Sequence, residues 1–321
     1  MALIVAAYTA LPPPDPGRPA SDLDFLVGLA ATPEVRGLEL PFNGALPTDD
    51  PRILGATDPR WDFVVTSFPG TMLRVSETPE FGLASTDEPG RAAALAFTEA
   101  LRRSVLRLND WASRPAVLAV EIHSAPTRTA DPSAFTESLC EVASWDWGGA
   151  LVTVEHCDAH QQATQPAHEP QKGFLSLADE IAAVRAAADG RKVGVTINWA
   201  RSAIEGRDAR TVQRHLHLAT EAGLLAGLMF SGCADTDTAF GPAWLDAHLP
   251  PTAGDDPDFA DLDALAGPSL LTPSRVRESL VAAGSGLLFT GLKIGLRPET
   301  LDTAARLAHL RQAIDLVERA R

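Results

Sequence analysis

The sequence predicts a (β/α)8 TIM barrel, a single domain in which eight parallel strands alternate with helices. Short runs rich in Val, Ile and Leu alternate with amphipathic stretches along the whole 321-residue chain, which is typical of a parallel sheet. A doubly wound open sheet, the alternative, usually has a glycine-rich phosphate-binding turn after its first strand, and here that place reads TALPPPDPG. No internal repeat or linker indicates a second domain, so a closed barrel is favoured.

The predicted strands and helices alternate along the chain, and several of the helices have start signals. The strand candidates are 3–8, 36–40, 62–67, 116–123, 150–155, 193–198, 225–231 and 286–292. Helix-like segments lie near 21–30, 90–109, 132–143, 175–188, 208–222, 272–283 and 298–320, and the region 47–58 predicts at most a short helix. Ser176 with Asp179 three residues later, and Thr272 before Pro273, are typical helix starts.

Long irregular stretches are predicted after strands three, five and seven, at 67–89, 156–174 and 232–271. Such loops are uncommon unless they are functional, and in a barrel they lie at the carboxyl-terminal face, where active sites are found. The loop after strand seven contains Trp244 and His248 among its aromatic and polar residues, and we expect it to cover the barrel mouth as a lid. The alternative is a loop packed on the outer helices or an oligomer contact.

The charge of the chain excludes several partners. With 27 basic and 42 acidic residues, the net charge is −15, which argues against binding to nucleic acid and to anionic membranes. No stretch approaches the ~18 apolar residues of a membrane span. Three cysteines without metal-binding spacing favour reduced thiols, so we expect a cytoplasmic protein, and a homo-oligomer remains open.

Alternation along the strands predicts which side chains enter the barrel. Apolar residues at every second position would pack under the helices, and the intervening polar residues would point inward. The inward polar residues near the strand ends are Glu39, Glu121, His123, Thr153, Glu155, Thr196 and Asn198. Desolvating so many polar groups costs several kcal/mol unless a bound molecule offsets it, so a functional pocket is predicted at this mouth.

A metal ion is the first candidate for this region. The possible ligands within two adjacent strands and one loop are Glu121, His123, Glu155, His156, Asp158 and His160, but no interval among them is a specific metal signature. By alternation His156 points away from the mouth, and a surface position is the alternative for His160.

Acid–base chemistry is the second candidate for this pocket. Glu121 and Glu155 on neighbouring strands would couple, so that one pKa rises and the other carboxyl stays ionised. His123 lies beside them on strand four. Lys293 follows strand eight, and burial would lower its pKa and make it an acid, a base or a Schiff-base former; a surface lysine is the alternative.

Substrate recognition is the third candidate. The loop after strand six, NWARSAIEGRD, places Arg201 and Glu205 near Asn198, and PAWLDAHLP contains Trp244, Asp246 and His248. An aromatic ring, carboxylates and amides are thus available to hold a sugar together with Glu39. The same residues would also serve to fasten a long loop. A nucleophilic serine motif and a P-loop are absent from the sequence, and its histidines and acids have no specific metal-binding spacing.

Several motifs resemble one uncharacterised bacterial domain-of-unknown-function family across nearly the whole chain. They are GLELP, VEHCD, INWARSAIEGR, MFSG and PAWLDAHLP. More distantly, the glutamates of strands two and five resemble the xylose-isomerase-like TIM-barrel superfamily of sugar isomerases and epimerases. That resemblance implies the fold and a divalent metal held by acidic or His residues at the ends of strands five to eight.

The implied metal-ligand set is incomplete in this chain. Glu155 matches the strand-five position, but Asn198, then Ser231 or Cys233, and finally Lys293 stand where a carboxylate, a histidine and a second glutamate are expected. Whether a metal or another cofactor is bound is therefore left open.

These observations favour an enzyme that acts on a small carbohydrate by proton transfer next to a carbonyl group. Glu155 would be the base, Glu121 and His123 would orient hydroxyls or take the second proton, and Lys293 would stabilise the enolate oxygen. A glycoside hydrolase or lyase is one alternative, and a non-catalytic carbohydrate-binding barrel is the other.

Overall fold

A computed structural model describes residues 2–12, 21–160, 172–188, 190–254, 256–259, 262 and 267–321. Its eight parallel strands pair in chain order and β8 pairs with β1, which closes the barrel and confirms the predicted fold. The strands are β1 (Ala2–Val5), β2 (Gly37–Pro41), β3 (Asp62–Thr66), β4 (Val117–Ile122), β5 (Leu151–His156), β6 (Val193–Asn198), β7 (Leu225–Phe230) and β8 (Phe289–Leu292).

Helices surround the barrel and cover its carboxyl-terminal face. They are α1 (Ala7–Ala10), α2 (Ser21–Ala30), α3 (Pro51–Ala56), α4 (Phe68–Glu77), α5 (Glu88–Ala112), α6 (Pro132–Ser144), α7 (Leu177–Ala187), α8 (Trp199–Gly206), α9 (Arg210–Glu221), α10 (Pro273–Ala283) and α11 (Thr303–Ala320). Ser176 and Thr272 cap α7 and α10 through their side chains, as their sequence signals predict. Among the described residues, no helix combines the length and the apolarity that crossing a bilayer requires.

The apolar core has two parts, which lie on opposite sides of the strands. The larger part packs between the strands and the helices, whereas a small inner cluster fills the barrel below the mouth. The buried members of the inner cluster are Ile4, Val64, Ala119, Met229 and Phe289. A Cβ on Gly227 would collide with the Phe289 ring, so this glycine makes room for the largest inner side chain. The polar mouth rests on this apolar floor.

The strand alternation holds at the mouth but fails at one position below it. Phe63 pairs with Val117 while Val64 pairs with Ala119, so Leu118 is an extra residue in β4. This bulge turns Leu118 toward the inner cluster, although simple alternation predicts it on the outer face. Beyond the bulge Val120 and Ile122 lie in the outer core as expected.

Two segments differ from the sequence prediction. The first strand ends at Val5 and not at Tyr8, because Thr9 Oγ1 donates to the carbonyl of Ala6 at 2.9 Å and closes the short helix α1. The stretch 67–89 is not irregular throughout, since α4 begins within it, with Pro69 in its first turn. In the loop predicted at 156–174, residues 161–171 lie outside the described residues.

Candidate active site at the barrel mouth

The barrel mouth is a buried cluster of ionisable side chains at the carboxyl ends of the strands. The residues that the sequence predicts there and that are buried in the structure are Glu39, Glu121, His123, Glu155, Asn198, Arg201 and Lys293. They divide into a group of contacts around Glu155, a pair formed by Lys293 with Glu39, and the side chain of Glu121.

Glu155 is the centre of the first group. Its Oε2 lies 2.7 Å from Arg201 Nη1 and 2.9 Å from His123 Nε2, while its Oε1 accepts a hydrogen bond from Asn198 Nδ2 at 3.1 Å. Burial raises the pKa of Glu155, but the charges of Arg201 and Lys293 and the hydrogen bond from His123 outweigh it. The pKa therefore lies well below its usual range, and Glu155 is ionised at neutral pH.

His123 connects Glu155 to β3. Its Nδ1 lies 3.2 Å from the hydroxyl of Ser67, the residue that follows β3. Burial lowers the pKa of His123 and outweighs the favourable contact with Glu155, so the ring is neutral. A carboxylate only accepts, so we assign the single ring proton to Nε2. Nδ1 then faces the Ser67 hydroxyl, which also donates to the backbone carbonyl of Glu121 at 3.0 Å.

Arg201 is positioned by the turn between β6 and α8. Asn198 ends β6 and caps α8, its side-chain oxygen accepting the Arg201 amide, which places Arg201 in the first turn of that helix. The guanidinium lies 3.8 Å from the centre of the Phe68 ring, a cation–π contact within the buried mouth. Its Nη2 has no hydrogen-bond partner among the described residues.

Lys293 and Glu39 form a second ion pair, with 3.0 Å between Nζ and Oε1. Burial lowers the pKa of Lys293, but Glu39, Tyr8 and Glu155 outweigh it, so the pKa lies well above its ordinary value. The expectation of a lysine with a lowered pKa is therefore wrong, because burial brings the amine beside a carboxylate. The ammonium also lies 5.4 Å from the centre of the Tyr8 ring.

Glu121 is the carboxyl group without hydrogen bonds in this cluster. It is fully buried, and neither of its oxygens has a hydrogen-bond partner among the described residues. Burial, and then repulsion from Glu155 and Glu39, raises its pKa well above the usual range, so Glu121 is neutral at pH 7. The pKa values of Glu121 and Glu155 thus move apart, in the sense that their positions on neighbouring strands predict.

The loop after β7 brings two further residues to this mouth. Asp246 Oδ2 lies 3.1 Å from Arg201 Nε and 2.8 Å from Lys172 Nζ. His248 Nδ1 lies 3.0 Å from Ser231 Oγ and 3.3 Å from Asp246 Oδ1. His248 therefore reaches the rim of the mouth through Asp246, as the sequence predicts for this loop.

Trp244 lies elsewhere than the sequence predicts. Its backbone amide donates to the carbonyl of Ala234, so the loop folds back, and the Trp244 ring faces Arg207 with 5.6 Å between the guanidinium carbon and the ring centre. Both border a cavity of about 300 Å³ that Trp199 and Arg275 also line. No described contact joins Trp244 to Glu121 or Glu155, which corrects its assignment to the same pocket.

Sequence reasoning missed Lys172 as part of the mouth, and it named Asp246 only as a carboxylate of the loop after strand seven. Lys172 is one of three lysines in the chain, and it is buried with its ammonium 3.3 Å from Asp158. The scarcity of lysine was the available signal, but its loop has no periodic pattern that would place it. The sequence has no pattern that would pair Asp246 with Arg201 and Lys172, although its motif predicts a role in recognition.

The mouth does not fit the divalent metal that the superfamily resemblance implies. At the four implied ligand positions this chain has the carboxylate of Glu155, the amide of Asn198, the hydroxyl of Ser231 and the ammonium of Lys293. Asn198 donates an N–H to Glu155, and Arg201 lies 2.7 Å from the same carboxylate. The positive charges of Arg201 and Lys293 thus take the electrostatic role of the metal, and they would repel a metal ion.

Several solved structures share this fold over nearly the whole chain. A putative xylose isomerase from Rhodospirillum rubrum has a TM-score of 0.61 at 12% identity, with 100% of this chain and 99% of that chain covered. The IolI protein with a bound zinc atom has a TM-score of 0.59 at 11% identity, with the same coverage. A D-psicose 3-epimerase, solved in the presence of D-fructose, has a TM-score of 0.58 at 13% identity, also with 100% and 99% covered.

Sequence relatives are closer but carry no assigned reaction. An uncharacterized protein of Salmonella typhimurium is 38% identical over 325 residues, which cover 99% of this chain and 97% of that protein. One family model, described as a domain of unknown function (DUF4862), matches residues 4–309.

Proposed function

The chain belongs to the DUF4862 family, and we propose that it is an enzyme that transfers a proton at a carbon next to the carbonyl group of a sugar or sugar derivative. The observation that carries the proposal is the pair of buried carboxyl groups with opposite protonation states at neutral pH. Glu155 is ionised and suits a base, whereas Glu121 is neutral and suits an acid.

Unpartnered polar atoms support a polyhydroxylated substrate. Tyr8 Oη, Glu39 Oε2, both oxygens of Glu121 and Arg201 Nη2 are buried and have no hydrogen-bond partner among the described residues. Leaving such an atom unpaired costs about 1–3 kcal/mol. The hydroxyl groups of a sugar both donate and accept hydrogen bonds, so one such ligand would pair donors and acceptors of this set together.

The proposed reaction begins with removal of the proton on the carbon next to the carbonyl group. Glu155 takes this proton, the electron pair of the C–H bond forms a carbon–carbon double bond, and the carbonyl oxygen becomes an enolate oxygen. Arg201 and Lys293 stabilise its negative charge. Glu121 then gives its own proton to the intermediate and becomes a carboxylate. The starting state returns when Glu155 releases its proton to solvent and Glu121 takes one proton from solvent.

Neighbouring residues position the base. His123 and Asn198 hold the two oxygens of Glu155 from opposite sides, at 2.9 Å and 3.1 Å. Ser67 in turn orients His123. These contacts hold the carboxylate in one orientation, which is what a near-attack geometry requires.

The names of similar structures agree with this substrate class, since one is a D-psicose 3-epimerase and another a putative xylose isomerase. The glycoside hydrolase alternative expects a second glutamate at the end of β7, where this chain has Phe230 and Ser231. A carbohydrate-binding barrel without catalysis remains the alternative that the experiment below separates.

The test is incubation of the protein in D2O with a panel of ketoses, aldoses and sugar acids, followed by proton NMR. We expect deuterium to enter at the carbon next to the carbonyl group of at least one sugar. Glu155→Gln and Glu121→Gln should each abolish the incorporation, and Glu34→Gln, an exposed glutamate before β2, should retain it.

Two results would contradict the proposal. Full incorporation by Glu155→Gln and Glu121→Gln would remove both carboxyls from the reaction. Saturable sugar binding without incorporation for any sugar would identify a binding protein instead of an enzyme.

A further inference from the structure

A second buried cluster lies behind β5, on the side away from the mouth. His156 ends β5 and points outward, as strand alternation predicts, between two glutamates. Its Nδ1 lies 2.6 Å from Glu180 Oε2 of α7, and its Nε2 lies 2.9 Å from Glu205 Oε2 of α8. His215 of α9 approaches the same glutamate, with 3.5 Å between its Nε2 and Glu205 Oε1.

Both histidines have the same arrangement of contacts. In each ring Nδ1 contacts an orienting group, Glu180 for His156 and the Ser202 hydroxyl at 3.0 Å for His215, and Nε2 points to Glu205. Such outer partners fix the tautomer and direction of histidines that bind metal. One ligand atom from each of His156, Glu205 and His215 lies within 4.8 Å of the others.

We propose that His156, Glu205 and His215 form a binding site for a divalent transition-metal ion, with Zn²⁺ as the best match. Two imidazole nitrogens and one carboxylate are a ligand set that zinc adopts in proteins, with bond lengths of about 2.0–2.2 Å. Glu180 and Ser202 orient the ligands from outside. This site is separate from the mouth, and the inference does not depend on the proposed reaction.

Other contacts hold the two glutamates in place beside the His156 ring. The hydroxyl of Ser124 donates to Glu180 Oε1, and the backbone amide of Ala159 donates to Glu205 Oε2. The ligand atoms of this cluster are therefore held in fixed directions before an ion binds.

The ion would connect the parts of the chain that hold the mouth residues. His156 directly follows Glu155 on β5, and Glu205 lies one helical turn after Arg201 on α8. A metal bound behind the strand would therefore fix the elements on which Glu155 and Arg201 are built. We expect the bound ion to have a structural role, because its ligand His156 is the next residue after Glu155 of the mouth.

Cobalt binding tests the site directly. The whole protein is stripped of metal and titrated with Co²⁺, which reports a site of low coordination number by intense visible absorption. We expect a one-to-one complex that Zn²⁺ displaces, loss of the absorption in His215→Ala and Glu205→Gln, and unchanged absorption in His217→Ala, an exposed histidine on α9. Glu155→Gln should also keep the absorption.

A second variant distinguishes weaker metal binding from misfolding of the protein. Glu180→Gln keeps the shape of the orienting residue and should weaken Co²⁺ binding about 10–100-fold, while circular dichroism shows the folded protein. The proposal is overturned if the stripped wild-type protein does not bind Co²⁺. It is also overturned if the absorption survives in His215→Ala and Glu205→Gln, or disappears only in Glu155→Gln, which would assign the ion to the mouth.

Discussion

Glu155 and His156 are neighbours on β5, but they enter two different buried clusters. In front of the strand Glu155 has partners, whereas Glu121 and one oxygen of Glu39 have none among the described residues. Behind the strand, no buried side-chain oxygen or nitrogen of His156, Glu180, Glu205 or His215 lacks a hydrogen-bond partner.

This difference separates a site for an organic substrate from a structural cluster in one molecule. Buried polar groups are normally paired, so unpaired ones call for a ligand that supplies hydrogen bonds, whereas a paired cluster, with or without the proposed metal ion, holds elements together. The front cluster should therefore govern the reaction, and the back cluster should govern stability. The predictions below test that division.

Replacing His156 should have the largest effect on stability. His156→Leu removes the imidazole between Glu180 and Glu205 and leaves two carboxylates facing each other, so the free energy of unfolding should fall by about 3–5 kcal/mol. Chemical denaturation of the metal-stripped protein measures this. His217→Leu, an exposed control, should change the value by less than about 0.5 kcal/mol. A loss below about 1 kcal/mol for His156→Leu would show that the back cluster is not a scaffold.

Replacing Glu121 should separate reaction from stability. Glu121→Gln keeps the shape of a side chain whose oxygens have no described partner, so at pH 4, where this carboxyl is mostly protonated in both the folded and the unfolded protein, the free energy of unfolding should change by less than about 1 kcal/mol. The rate of proton transfer should fall at least ~10²-fold, because the acid is lost. Sugar deuteration kinetics and denaturation of one preparation give both values. A large stability loss with retained exchange would reverse the assignment of the two clusters.

The pH dependence of stability should also identify Glu121. Its pKa is raised in the folded protein, so its contribution is fully present below the unfolded pKa near 4.5 and is lost as pH rises toward the folded value. In that range the folded state binds one more proton, and stability should fall by about 1.4 kcal/mol per pH unit relative to Glu121→Gln. Denaturation curves between pH 5 and pH 7 measure this difference, and parallel curves would contradict the raised pKa.

Replacing His248 should have the smallest effect. Its side chain is 20% exposed, and its polar contacts at the rim are with Ser231 and Asp246. His248→Ala should therefore lower the free energy of unfolding by about 1 kcal/mol and should weaken sugar binding more than it lowers the catalytic rate. Calorimetric titration and kinetics with the same sugar check this. A rate loss as large as that of Glu121→Gln would move His248 into the reaction.

The sequence predicts the part of the mouth that strands build. Periodicity of two residues is strict within a strand, so Glu121, Glu155 and Asn198 could be assigned to the barrel interior from apolar neighbours alone. The same rule correctly directs His156 outward. It fails at Leu118, because a bulge adds a residue without any signal in the apolar pattern.

The part of the mouth that loops build could not be predicted. Lys172 and Asp246 meet across 74 positions of the chain in segments without periodicity, and only the folded backbone brings their charges to 2.8 Å. The pKa of Lys293 was predicted in the wrong direction for a related reason. Burial alone lowers it, and the opposing effect comes from Glu39 at the other end of the sequence.

The central claim is that Glu121 is neutral beside an ionised Glu155. Infrared difference spectroscopy of the protonated carboxyl group tests this claim most directly. At pH 7 the wild-type protein should have a C=O stretching band of a buried protonated carboxyl that shifts in D2O. The band should disappear in Glu121→Gln and persist in Glu155→Gln. Absence of this band in the wild-type protein, or its loss in Glu155→Gln alone, would contradict the assignment of acid and base on which the proposed reaction rests.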